Sequence, residues 1–108
     1  MATNIGDVID YLHGIAPNEY QESYDNSGLI VGSRATIVKG VLISLDCTEA
    51  IVEEAIDKGC NMIISHHPIV FRGLKRFNGS NYVERTVIKA IKNNIALFTI
   101  HTNLDNVL

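Results

Sequence analysis

Three short runs of β-branched and aliphatic residues, at 36–45, 61–65 and 95–100, are separated by two amphipathic segments of helical length. Strand, helix, strand, helix, strand in so short a chain calls for parallel strands joined by right-handed helical crossovers. The first run is rich in β-branched residues and is expected to become more buried toward its end. Asp46-Cys47-Thr48-Glu49 follows it, where Asp46 or Thr48 can cap the next helix and Glu49 stands three residues after Asp46, as a capping box requires. Ile51, Val52, Ala55 and Ile56 give that helix its apolar face, and Lys58-Gly59 supplies a basic last turn and a glycine stop. The second helix is expected over 81–93, with Val83, Val87, Ala90 and Ile91 on one face and Asn93-Asn94 as its stop. Upstream, Ile5, Val8, Ile9 and Leu12 mark one face of a helix that Asn4 can cap. A turn-rich segment then leads into Leu29-Ile30-Val31-Gly32, a short strand candidate. The expected fold class is α/β, with a βαβαβ parallel-sheet core preceded by an N-terminal helix.

In an open parallel sheet, ligands bind beyond the carboxyl ends of the strands. Here those ends carry Asp46, then His66-His67, then His101 through Asp105. Three of the four histidines and two carboxylates are thus expected on one edge. Imidazole nitrogen and carboxylate oxygen together suit zinc, iron or manganese. Adjacent histidines in a loop can turn toward two neighbouring metals, an aspartate can bridge them, and such a pair readies a metal-bound hydroxide for attack. Asp46 has a bland alternative as a helix cap. Arg72 and Lys75, with Arg76, form the single basic cluster; they read as a solvated loop face or as an attraction for an anionic, phosphorylated substrate. His13, among polar positions of the first helix, reads as plain surface.

Composition excludes several classes. A chain of 108 residues with 46% hydrophobic and 19% charged residues is one folded domain, neither a tail nor a linker. Nine basic against twelve acidic residues, net −3, argue against an electrostatic grip on nucleic acid. No apolar run approaches the ~20 residues that span a bilayer, and Met1-Ala2-Thr3-Asn4 opens no secretory signal. A cytoplasmic protein is therefore expected. Cys47 and Cys60 form no C-x-x-C pair and read as reduced, buried small residues.

Three segments carry a family resemblance: Glu22-Ser23-Tyr24-Asp25-Asn26-Ser27-Gly28-Leu29-Ile30-Val31-Gly32, Ile63-Ile64-Ser65-His66-His67-Pro68-Ile69-Val70-Phe71-Arg72-Gly73-Leu74-Lys75, and His101-Thr102-Asn103-Leu104-Asp105. Together they resemble the NGG-interacting-factor-three-like family, also called GTP cyclohydrolase I type 2-like proteins. The resemblance spans essentially the whole chain. It implies a dinuclear metal site between two similar α/β lobes, with His66, His67 and Asp105 as metal ligands. His101 would lie beside the site as ligand, proton shuttle or supporting residue, and His101 or Asp46 would assist with protons. It further implies two divalent ions, a hydrolase activity in the intact protein, a nucleotide or phosphorylated small molecule as substrate, and self-association into a dimer or hexameric ring. The family draws a further histidine and glutamate from a second lobe, and this sequence ends just after Asp105. Residues 1–108 are therefore expected to be one lobe, an N-terminal fragment of a longer two-lobe protein or a natural truncation, inactive by itself and with partial or no metal occupancy. Non-enzymatic metal binding, or a regulatory ring with a structural metal, are the alternatives from other functional classes.

Overall fold

A computed structural model describes residues 2–15, 28–67 and 78–100. Along the chain these form α1 (Ile5–Ile15), β1 (Gly28–Val31), β2 (Val41–Ser44), α2 (Glu49–Lys58), β3 (Met62–Ser65), α3 (Tyr82–Lys92) and β4 (Ala96–Thr99). The sheet order is β1-β4-β3-β2. β2, β3 and β4 run parallel through the crossovers α2 and α3, which is the expected βαβαβ core. β1 joins the far edge antiparallel to β4.

Each helix start, and the end of α2, has a local chemical cause. At α1, Asn4 and Asp7 form a reciprocal capping box: the Asp7 amide donates to Asn4 Oδ1 at 2.8 Å and the Asn4 amide to Asp7 Oδ2 at 3.0 Å. Thr48 caps α2, its hydroxyl accepting from the Ile51 amide at 3.2 Å. Gly59 closes that helix in the left-handed region, at φ 72°, where a side chain would be strained. Asn81 caps α3 through the Glu84 amide. The Glu84 carboxylate reaches back to the Ser80 and Asn78 amides at 3.1 and 3.2 Å. Burial works to raise its pKa, but the Ser80 amide and hydroxyl, with the Asn78 and Gly79 amides, outweigh that and hold it below the ordinary value.

The two sheet faces are covered unequally. α2 and α3 pack on one face, where Val52, Ala55 and Ala90 meet Ile63 and Leu97. Ion pairs join the two helices, Arg85 to Glu49 at 2.9 Å and Lys89 to Glu53. The hydrogen bond to Glu53 holds the Lys89 pKa above its ordinary value. Among the described residues α1 is what packs on the other face, where Ile5 and Ile9 cover Met62, Ile64, Ala96 and Phe98. Gly32, at φ 113°, lets the chain leave β1 hard against β4: a Cβ there would stand 2.8 Å from the Ala96 Cβ.

Two expectations need correction. The first run does not become more buried toward its end. Its strand is only Val41–Ser44, and Ile43 and Leu45 are 76% and 62% exposed. β2 is the sheet edge and α1 does not reach it, so the residues of β2 on that face stay open to water. His13 is not plain surface. Its ring is half-buried, with its centroid 5.8 Å from that of Phe98, and its Nε2 is shut from solvent with no hydrogen-bond partner among the described residues. It continues the row Ile5, Ile9, His13 at four-residue spacing, which is the buried stripe of α1.

Candidate metal centre

Two serines shape the edge where β2 and β3 end. Ser44 and Ser65 are register partners and the last residues of their strands. Each donates its hydroxyl to the carbonyl two residues on, Ser44 to Asp46 at 2.5 Å and Ser65 to His67 at 3.3 Å. This local side-chain turn, repeated on adjacent parallel strands, brings Asp46 and His67 to equivalent positions. The His66 and His67 amides cross to the Ser44 and Leu45 carbonyls at 3.3 and 2.9 Å, so the pairing runs past the strands. As a result Asp46 Oδ1 stands 2.6 Å from His67 Nδ1. The His66 and His67 rings meet edge to face, with centroids 5.0 Å apart and planes inclined at 62°.

The expected residues therefore divide into two groups. Asp46, His66 and His67 come together at the carboxyl end of the parallel strands. His101, Asp105, Arg72 and Lys75 lie outside the described residues, as do Arg76 and most of the turn-rich segment before β1. Among the described residues no three His, Cys, Asp or Glu side chains converge as a complete metal site. The donor set that is described, two adjacent imidazoles with a carboxylate on one of them, has the chemistry of half a site for a first-row divalent ion. The capping role open to Asp46 is taken by Thr48, which leaves the Asp46 carboxylate to His67.

Sequence reasoning missed Ser44 and Ser65. Their signal was present, since a serine stands two positions before Asp46 and two before His67. Thr99 ends β4 in the same register row, its Oγ1 buried 3.4 Å from the Ser65 hydroxyl, and His101 follows it by two residues in sequence. A cavity of about 400 Å³ lined by Val31, Ala90, Ile95 and Ala96 lies at the opposite end of the strands, away from this chemistry.

Cys47, beside Asp46, is a free thiol buried between sheet and α2, and desolvation pushes its pKa from 9.0 to about 11. The folded value is the higher one, so the thiol's contribution to stability is full below pH 9.0 and is lost as pH rises toward 11. About 2–3 kcal/mol should disappear across that window. Urea midpoints measured across it should fall in the wild type and flatten in Cys47→Ala. In neutral alkylation Cys60 should label well before Cys47; the reverse order would contradict the burial assigned here.

Comparison with known proteins agrees with this architecture. The family model described as Duf34/NIF3 (NGG1p interacting factor 3) matches residues 3–108. A Clostridium acetobutylicum protein named GTP cyclohydrolase 1 type 2 homolog is 40% identical over 107 residues, covering 99% of this chain and 40% of that protein. A Staphylococcus aureus protein of the same name is 44% identical over 101 residues, 94% of this chain and 27% of the relative. The crystal structure of Staphylococcus aureus hypothetical protein SA1388 superposes with a TM-score of 0.93 at 42% identity, over 97% of this chain and 35% of that one. The chain thus spans between about a quarter and two fifths of the length of these relatives.

Proposed function

The chain belongs to the Duf34/NIF3 family, and on that premise we propose that it is the divalent-metal-binding lobe of a metal-dependent hydrolase. The observation that carries the reading is the His66-His67 pair at the carboxyl end of the parallel strands, with Asp46 on the His67 ring at 2.6 Å. His66 and His67 hold metal together with Asp105, and zinc, iron and manganese all suit that donor set. A bound divalent pair would supply Lewis-acid polarisation and ready water for attack. The protein's own groups do the rest: Asp46 steadies His67, His101 carries protons, and Arg72 and Lys75 draw in an anionic nucleotide or phosphorylated small molecule. The names of the relatives support a hydrolytic role on a nucleotide.

A panel of nucleotides and phosphoesters, incubated with the intact two-lobe protein and each metal in turn, tests the proposal. Turnover should vanish with chelator, return with metal, and fall together with metal content in His67→Ala. Turnover unchanged in that variant contradicts the hydrolase reading. Stoichiometric metal with no substrate consumed favours the non-enzymatic alternative.

The uncovered edge supports self-association as part of the same proposal. Ile37, Val41, Ile43 and Leu45 are exposed at 48%, 37%, 76% and 62%, all on or beside the edge strand β2. An edge strand with such a stripe favours pairing, and a second copy meeting it across a two-fold axis would be self-complementary. Light scattering should give a dimer or larger, and Ile43→Lys should shift it toward monomer. A wild type that stays monomeric at high concentration contradicts this. Among the described residues no helix is long and apolar enough to cross a membrane.

A further inference from the structure

We infer that Asp46 is a positioning residue for metal binding, holding His67 in the one tautomer and ring orientation that present Nε2 to the ion. The inference rests on the metal-binding reading above and adds which nitrogen ligates and what sets it. A carboxylate accepts hydrogen bonds and cannot donate them, so a contact of 2.6 Å from Asp46 Oδ1 to His67 Nδ1 requires the proton on Nδ1. In neutral imidazole the lone pair then sits on Nε2. A carboxylate on the outer nitrogen also raises the basicity of a ligating histidine and fixes its ring.

The pairing is built into the fold at two further points. Ser44 and Ser65, opposite each other in the ladder, each bond the carbonyl of the residue in question, Asp46 and His67. The His67 amide is tied to the Leu45 carbonyl at 2.9 Å, one residue before Asp46. Both backbones are thus set before the side chains meet. An exposed carboxylate and imidazole with side chains 61% and 45% accessible would otherwise gain little from meeting in water. The helix-capping role that would explain an aspartate here belongs to Thr48.

The test compares wild type, Asp46→Asn and Asp46→Ala, first free of metal and then with zinc alone. Nitrogen-15 NMR of the His67 ring, at one neutral pH and without metal, should show a protonated Nδ1 and an unprotonated Nε2 in wild type. Asp46→Asn should keep that pattern, because the amide oxygen accepts the same bond, and Asp46→Ala should lose it. Zinc affinity, read by competition with a chromophoric chelator, should fall about 10–100-fold in Asp46→Ala and less in Asp46→Asn. A wild-type His67 protonated on Nε2, or a pattern unchanged in Asp46→Ala, overturns the inference. So does a zinc affinity equal in all three proteins. Failure of the broader metal-binding reading looks different: wild type takes up no zinc while the ring pattern still depends on Asp46.

Discussion

Phe98→Ala should be the most damaging single substitution in the core, lowering stability by about 3–5 kcal/mol. Phe98 is 1% exposed and lies on β4, one of the two central strands. Its register partners are Ile64 on β3 and Leu29 on β1, and the stripe of α1 closes over it through Ile5, Ile9 and the His13 ring. Truncation leaves a ring-sized void that a three-layer packing cannot collapse into without moving α1 off the sheet. Domains of this size have only about 5–15 kcal/mol in total, so the melting temperature should fall on the order of 20 °C. Ile91→Ala, at a position 56% exposed, is the control and should change stability by about 0.5 kcal/mol or less. A thermal melt of Phe98→Ala within a few degrees of wild type would contradict the packing described for α1.

The second large effect is expected on metal rather than on folding. His67→Ala should weaken zinc binding by more than about 100-fold, beyond the 10–100-fold range typical of residues that only support a ligand. The magnitude separates the roles: Asp46→Ala belongs inside that range and His67→Ala outside it. His13→Ala should leave metal binding untouched, because α1 lies over Phe98 in the core and His13 is no part of the strand-end cluster. Stability should barely respond to His67→Ala, since the side chain is 45% exposed. Equal zinc affinity in His67→Ala and wild type would remove His67 from the site.

Much of the fold was readable because its signals are local. The helix stops at Gly59 and Asn93-Asn94, the caps at Asn4 and Thr48, and the β-branched runs each act within a few residues of themselves. The strand-end rule likewise placed Asp46, His66 and His67 together. Register and strand order were not readable. That β2 is an edge, with Ile43 facing water, depends on where β1 inserts and on how far α1 reaches across the sheet. The Asp46–His67 contact depends on Ser44 standing opposite Ser65, a pairing between residues twenty-one apart that no local pattern encodes. His13 was misread for a simpler reason: its polarity outweighed its four-residue spacing from Ile9, although the spacing was the better guide.

The central claim is that His66 and His67 hold a divalent ion, and elemental analysis tests it most directly. The protein is purified without chelator and without a histidine tag, beside a His66→Ala/His67→Ala double variant. The account predicts zinc, iron or manganese bound below full stoichiometry in the wild type, or its weak uptake on titration, and loss of that metal from the double variant. Wild type that takes up none of the three ions, or a double variant that retains as much metal as wild type, would contradict it.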